Sequence, residues 1–231
     1  MKYPNAANGV KKIFTAEILA LIGGVCAGLT LLMSLLVVES AENISQGNIT
    51  DLSTGSYLAG GAAAVIFALA AGVLIIIAFI LNVIGVNKAS KDEEGSGNFK
   101  IAFIIIFVGL AASVLGTALN TTAPSISKFC STAGQVCNLI STYFILEGIS
   151  EFAKKLGNET LADKALKMIY AILCCQLLGI VIESVPNFAG AGTFAAGIAI
   201  ALVLVGVALS IIAYVLYLKI LSEAKKMLAE S

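Results

Sequence analysis

Six long apolar stretches run along the chain, separated by short segments rich in polar or charged residues. A helix needs about 20 mostly apolar residues to cross a bilayer core of about 30 Å, and each stretch is close to or above that length. We therefore predict an all-α integral membrane protein, with residues 1–231 forming a single membrane domain built as a six-transmembrane-helix bundle. The predicted helices span about residues 13–38, 57–86, 99–119, 127–153, 165–183 and 194–221. The polar segment Glu39–Ser56 is predicted as a loop, and Ser222–Ser231 as a short amphipathic extension.

The positions of the lysines decide whether the fourth predicted helix, which carries many small and polar residues, also crosses the membrane. Thirteen of the 14 lysines lie near the N-terminus, near the segments that follow the second and fourth predicted helices, or near the C-terminus; Lys128 is the exception. With only five spans, the last lysines would fall on the opposite side from the others. Because positive charge marks the cytoplasmic side, the sequence predicts six spans in a cell membrane with both termini in the cytoplasm.

Composition narrows the classes of function. Hydrophobic residues make up 59% of the chain and charged residues 12%, about half the charged share of a soluble domain, so a lipid bilayer is the expected surrounding. The chain has no His, the usual general base and commonest metal ligand, and no Arg for a bidentate phosphate clamp. Net charge is zero, which leaves no basic field for nucleic acid. We therefore expect neither an enzyme nor a metal or other cofactor, and the exclusive use of Lys fits an AT-rich bacterial genome.

Short matches between the predicted hairpins suggest an internal repeat. Phe79-Ile-Leu-Asn82 near the end of the second predicted helix matches Phe144-Ile-Leu-Glu147 near the end of the fourth. Ser150–Lys155 matches Ser222–Lys226, with one residue deleted. Chance similarity between apolar segments is the alternative explanation. A repeat predicts three tandem helical hairpins at about residues 12–86, 99–155 and 164–226.

Two neighbouring faces of the fourth predicted helix differ from ordinary lipid-facing sequence. At 100° per residue, one narrow face carries polar residues: Ser131, Gln135, Asn138 and Thr142. The face beside it carries small residues: Cys130, Gly134, Cys137, Ser141 and Gly148. Polar groups in hydrocarbon must find partners, so we expect the other helices to enclose this one. The polar face then serves either as interhelical hydrogen bonding or as the lining of a pathway or ligand cavity.

Few ionisable groups fall inside the predicted spans, and such groups are functional candidates because their burial is costly. Glu17 lies five residues inside Lys12. In the repeat alignment, Asn82, Glu147 and Lys219 occupy equivalent positions and are predicted to form one polar layer near the cytoplasmic end, with Glu147 and Lys219 paired. Snorkelling of each side chain to the membrane interface is the alternative.

Two classes of function agree with these features. Small residues four apart, such as Gly24 with Gly28 and Gly109 with Ser113, allow close packing within the chain, in a homo-oligomer or with a membrane partner. The favoured function is a structural or partner-binding membrane protein of unknown specific role. The alternative is a small-solute or ion transporter or binding subunit, with a cavity lined by the fourth helix. An enclosed polar cavity near the midplane would distinguish them.

The predicted topology can be tested by cysteine-accessibility labelling of intact cells that express a cysteine-free variant. A cysteine introduced at Ser53 should react with a membrane-impermeant maleimide, because this segment is predicted outside. A cysteine at Ser96 should react only after the membrane is permeabilised. Labelling of both positions in intact cells, or the reverse pattern, would contradict cytoplasmic termini.

Overall fold

The structure is a computed structural model that describes residues 2–45, 51–92, 97–184 and 193–231, with side chains described except at 36, 39–45, 51–57, 176–184, 193–204 and 207. Over these ranges the chain forms six α-helices and no strand. The helices are α1 (Pro4–Ser45), α2 (Asp51–Ala89), α3 (Gly97–Ala118), α4 (Pro124–Lys155), α5 (Glu159–Ser184) and α6 (Thr193–Glu230). The prediction of an all-α chain is therefore confirmed for the described residues.

Several helices extend beyond the apolar stretches that predicted them. α1 begins at Pro4 rather than near residue 13, and α6 continues to Glu230 through the predicted extension. Residues 39–45 belong to α1 although they were predicted as a loop. Hydropathy detects the part of a helix that suits hydrocarbon, whereas the helix itself continues until a Gly, a Pro or a competing contact ends it. No Gly or Pro occurs between residues 39 and 45.

Three helical segments among the described residues are long and apolar enough to cross a membrane, judged by length and composition. They are Pro4–Leu35, Leu58–Ala89 and Gly97–Ala118. These segments support the membrane character of the chain. α4 is described over its whole length and is not among them, because its small and polar residues dilute the apolar ones. The six-span arrangement thus remains a prediction.

The chain divides into two compact units, and Lys12–Asn82 forms one of them. Here α1 and α2 run antiparallel: a β-carbon added at Gly23 would lie 3.1 Å from Ile75 Cγ1, and one added at Gly60 would lie 3.1 Å from Val37 Cγ2. Each glycine therefore lets the facing aliphatic side chain approach the helix backbone closely.

The other unit consists of Met1–Lys11 and Val83–Ser231 and holds a tightly packed core. Its centre is Phe152, which is fully buried and whose ring centroid lies 5.0 Å from that of Tyr3 and 6.0 Å from that of Phe99. Further fully buried side chains come from the same end of the helices: Val10, Val86, Ile145, Leu146, Ile149, Leu161, Leu221 and Leu228. The two chain termini and the segments after α2 and α4 therefore meet at one end of this unit, where most lysines also lie.

Asp92 fixes the first turn of α1 to the segment that follows α2. Asn5 Nδ2 donates a hydrogen bond to Asp92 Oδ1 at 2.9 Å, and the backbone N–H of Ala6 donates to Asp92 Oδ2 at 2.7 Å. The first N–H groups of a helix have no partner within the helix, and the helix dipole favours a carboxylate there. This contact stabilises the N-terminus of α1 at the packed end.

Two phenylalanines of α4 provide a matched test of this core. Replacing Phe152 by Ala should lower the free energy of unfolding by roughly 3–5 kcal/mol, because a fully buried aromatic ring is lost and a cavity remains. Phe129→Ala is the control, since Phe129 is 75% exposed on the same helix. Thermal unfolding of the two detergent-purified variants measures the loss of stability in each. Equal melting temperatures for the two would contradict a core centred on Phe152.

Candidate functional site on helix α4

The face of α4 that carries the small residues packs against α3. A β-carbon added at Gly109 of α3 would lie 2.8 Å from Cys137 Cβ, and one added at Gly134 of α4 would collide with Ser113 Oγ. The hydroxyl of Ser127, which is buried, donates a hydrogen bond to the carbonyl oxygen of Gly116 at 2.7 Å. The backbones of the two helices thus approach as closely as small residues allow. The close helix packing predicted from the spacing of Gly109 and Ser113 is confirmed.

The small-residue face continues toward the packed end of the unit. There, the ring of Phe99 fills the space in which a side chain at Gly148 would lie. Ser150 is also buried, and its hydroxyl donates to the carbonyl oxygen of Ala162 on α5 at 3.3 Å. α4 therefore contacts α3 along most of its length and α5 near its own C-terminal end, so α4 lies at the centre of the unit.

The polar face of α4 is not enclosed. Ser131, Gln135 and Asn138 are exposed, and Thr142 is half-buried. Thr142 satisfies its own hydroxyl by donating to the carbonyl oxygen of Asn138, four residues earlier, at 3.0 Å. The amides of Gln135 and Asn138 have no hydrogen-bond partner in the described part of the chain. The expectation that other helices of the same chain cover these two amides is therefore wrong for the described residues.

The predicted ion pair between Glu147 and Lys219 is also wrong. Glu147 is half-buried and interacts with Tyr143 on its own helix, whereas Lys219 is exposed. A salt bridge instead joins Lys164 Nζ of α5 to Glu223 Oε2 of α6 at 2.9 Å. The repeat alignment treated α4 and α6 as neighbours, but α4 packs mainly against α3, and α6 packs mainly against α5. At this exposure the observed pair contributes little to stability.

Two further predicted site residues, Asn82 and Glu17, belong to the unit that does not contain α4. Asn82 belongs to the unit Lys12–Asn82, and its Oδ1 atom is buried without a hydrogen-bond partner in the described part of the chain. Glu17 lies in the same unit, is half-buried and has an interaction partner. All five cysteines are free. Among the described residues, no group of three or more His, Cys, Asp or Glu side chains could hold a metal ion.

A pocket of about 230 Å³ lies between α4 and α5, on a different face of α4 from the polar residues. Its lining is almost entirely apolar and consists of Leu139, Ile140, Tyr143, Phe144, Leu146, Ile169, Ile172 and Leu173. Such a surface suits hydrocarbon and offers no set of convergent polar groups for an ion or a hydrophilic solute. Sequence reasoning missed this pocket because apolar residues on two long helices carry no signal of where the helices diverge.

Comparison with protein-family models, with curated proteins and with solved structures finds no match to this chain.

The α3–α4 contact can be tested with two glycine substitutions. Gly109→Ala should lower the free energy of unfolding by roughly 1–3 kcal/mol, because the new methyl group would overlap Cys137 Cβ and force the helices apart. Gly24→Ala is the control: it is also a helix-interior glycine, and a β-carbon there meets nothing within 4 Å. The control should keep or slightly raise the melting temperature, since Ala is the better helix former. A neutral Gly109→Ala would contradict the close backbone approach.

Proposed function

We propose that the chain is a six-span integral membrane protein of the cell membrane, with cytoplasmic termini and a structural or partner-binding role. In this proposal the polar residues of α4 fix helix packing and assembly rather than bind a transported solute. The observation that carries it is the separation of the polar face of α4 from the pocket beside α4. A solute site needs polar groups that converge on one cavity.

Two further observations support the assignment of roles on α4. The hydroxyls of Thr132, Ser141 and Thr142 donate to carbonyl oxygens of their own helix at 2.8–3.0 Å, so they present no free donor to a ligand. The hydroxyl of Ser127 instead crosses to the α3 backbone at Gly116 and holds the two helices together. These bonds are typical of membrane-helix packing, in which short hydroxyls satisfy themselves locally or join neighbouring backbones.

The six-span topology is supported by packing and charge together. α4 contacts α3 along most of its length and α5 near its C-terminal end, so it packs between two other helices there. The segments that carry most lysines meet at one end of the unit formed by Met1–Lys11 and Val83–Ser231. That arrangement fits an even number of spans, with the lysine-rich end in the cytoplasm.

A thermal-shift screen of the purified protein against ions, vitamins and small metabolites tests this function. We expect no dose-dependent rise in melting temperature, whereas a ligand at 100 times its Kd would add about 2.7 kcal/mol of stability. The matched control is the variant Gln135→Ala, Asn138→Ala. A ligand that stabilises the native chain but not this variant would overturn the structural role in favour of a solute-binding site on α4.

A further inference from the structure

We infer that the exposed amide face of α4, defined by Gln135 and Asn138, is the contact surface for a second copy of this chain. The inference rests on the proposed partner-binding function and names the partner. The two copies would be related by a two-fold axis along the membrane normal, so that equivalent residues of the two α4 helices meet at the same depth.

The first step is that these amides need protein partners. Gln135 and Asn138 are exposed, and neither side chain has a hydrogen-bond partner in the described part of the chain. Lipid tails offer an amide neither donor nor acceptor, so leaving either group in hydrocarbon is costly. The nearby hydroxyl of Thr142 donates a hydrogen bond to the backbone carbonyl oxygen four residues earlier. The longer amide side chains of Gln135 and Asn138 have no such partner among the described residues.

The second step is that this face is complementary to itself. Each amide carries two donors and one acceptor, so Asn138 of one copy can donate to Asn138 of the other and accept in return. In a two-fold interface the same surface occurs on both sides, which suits groups that both donate and accept. A buried Asn pair is a known device for fixing register between two helices.

The third step is that nothing on this face repels a second copy. No charged residue occurs between Lys128 and Glu147, which lie seven residues before Gln135 and nine residues after Asn138. Two copies therefore meet without like charges in contact. Ser131, one turn before Gln135, is short, so the two backbones can approach closely enough for the amides to bond.

Two cysteine variants in a cysteine-free background test the interface in native membranes. Asn138→Cys should give a cross-linked dimer on mild oxidation. Val136→Cys is the control: Val136 is 47% exposed, lies only two residues away and therefore at nearly the same depth, and points about 200° around the helix. The control should remain monomeric. Equal cross-linking at both positions, or no cross-linked dimer at 138, would overturn the inference.

A second measurement does not depend on cross-linking. The double variant Gln135→Leu, Asn138→Leu should remain folded, since both positions are exposed, and its dimerisation in liposomes, followed by subunit counting, should weaken about tenfold or more. A native chain that is monomeric at every density tested would overturn the homodimer and leave the proposed function standing. A ligand-dependent thermal shift that this double variant abolishes would instead overturn the proposed function itself.

Discussion

The close contact between α3 and the small-residue face of α4 determines how the other residues of α4 are placed around the helix. The small-residue face meets α3 so closely that Gly109 and Gly134 have no room for a β-carbon. That contact fixes the rotation of α4 about its axis, and the rotation then determines where every other side chain of the helix lies. The apolar pocket residues lie toward α5, and the two long amides are left on the one remaining face.

The features that follow from local sequence could be predicted. The spacing of Gly109 and Ser113 predicted close helix packing without naming the partner helix, because close approach depends on residue size at fixed helical positions. The six helices of the described residues correspond to the six predicted stretches, although the fourth span rested on the positions of the lysines as well as on its length. The ends of the helices were harder to predict from the sequence. α1 continues past the apolar stretch because residues 39–45 contain no Gly or Pro that would end a helix.

The features that depend on which helices are neighbours could not be predicted. The expected Glu147–Lys219 pair required α4 and α6 to face one another, and the salt bridge found joins Lys164 to Glu223 across α5 and α6. Likewise, the polarity of Gln135 and Asn138 was evident in the sequence, but their exposure was not. The sequence shows that a buried amide needs a hydrogen-bond partner. Only the packing of the helices shows whether the same chain provides that partner.

The contact of Asp92 with the start of α1 has a consequence for biosynthesis. The carboxylate that bonds the N–H of Ala6 lies 86 residues further along the chain. While a ribosome makes the protein, the first turn of α1 therefore lacks this partner until both helices of the first pair and the segment after them have been made. The native hydrogen bonds at the start of α1 therefore form only after α2 has been made, and not as the first residues leave the ribosome.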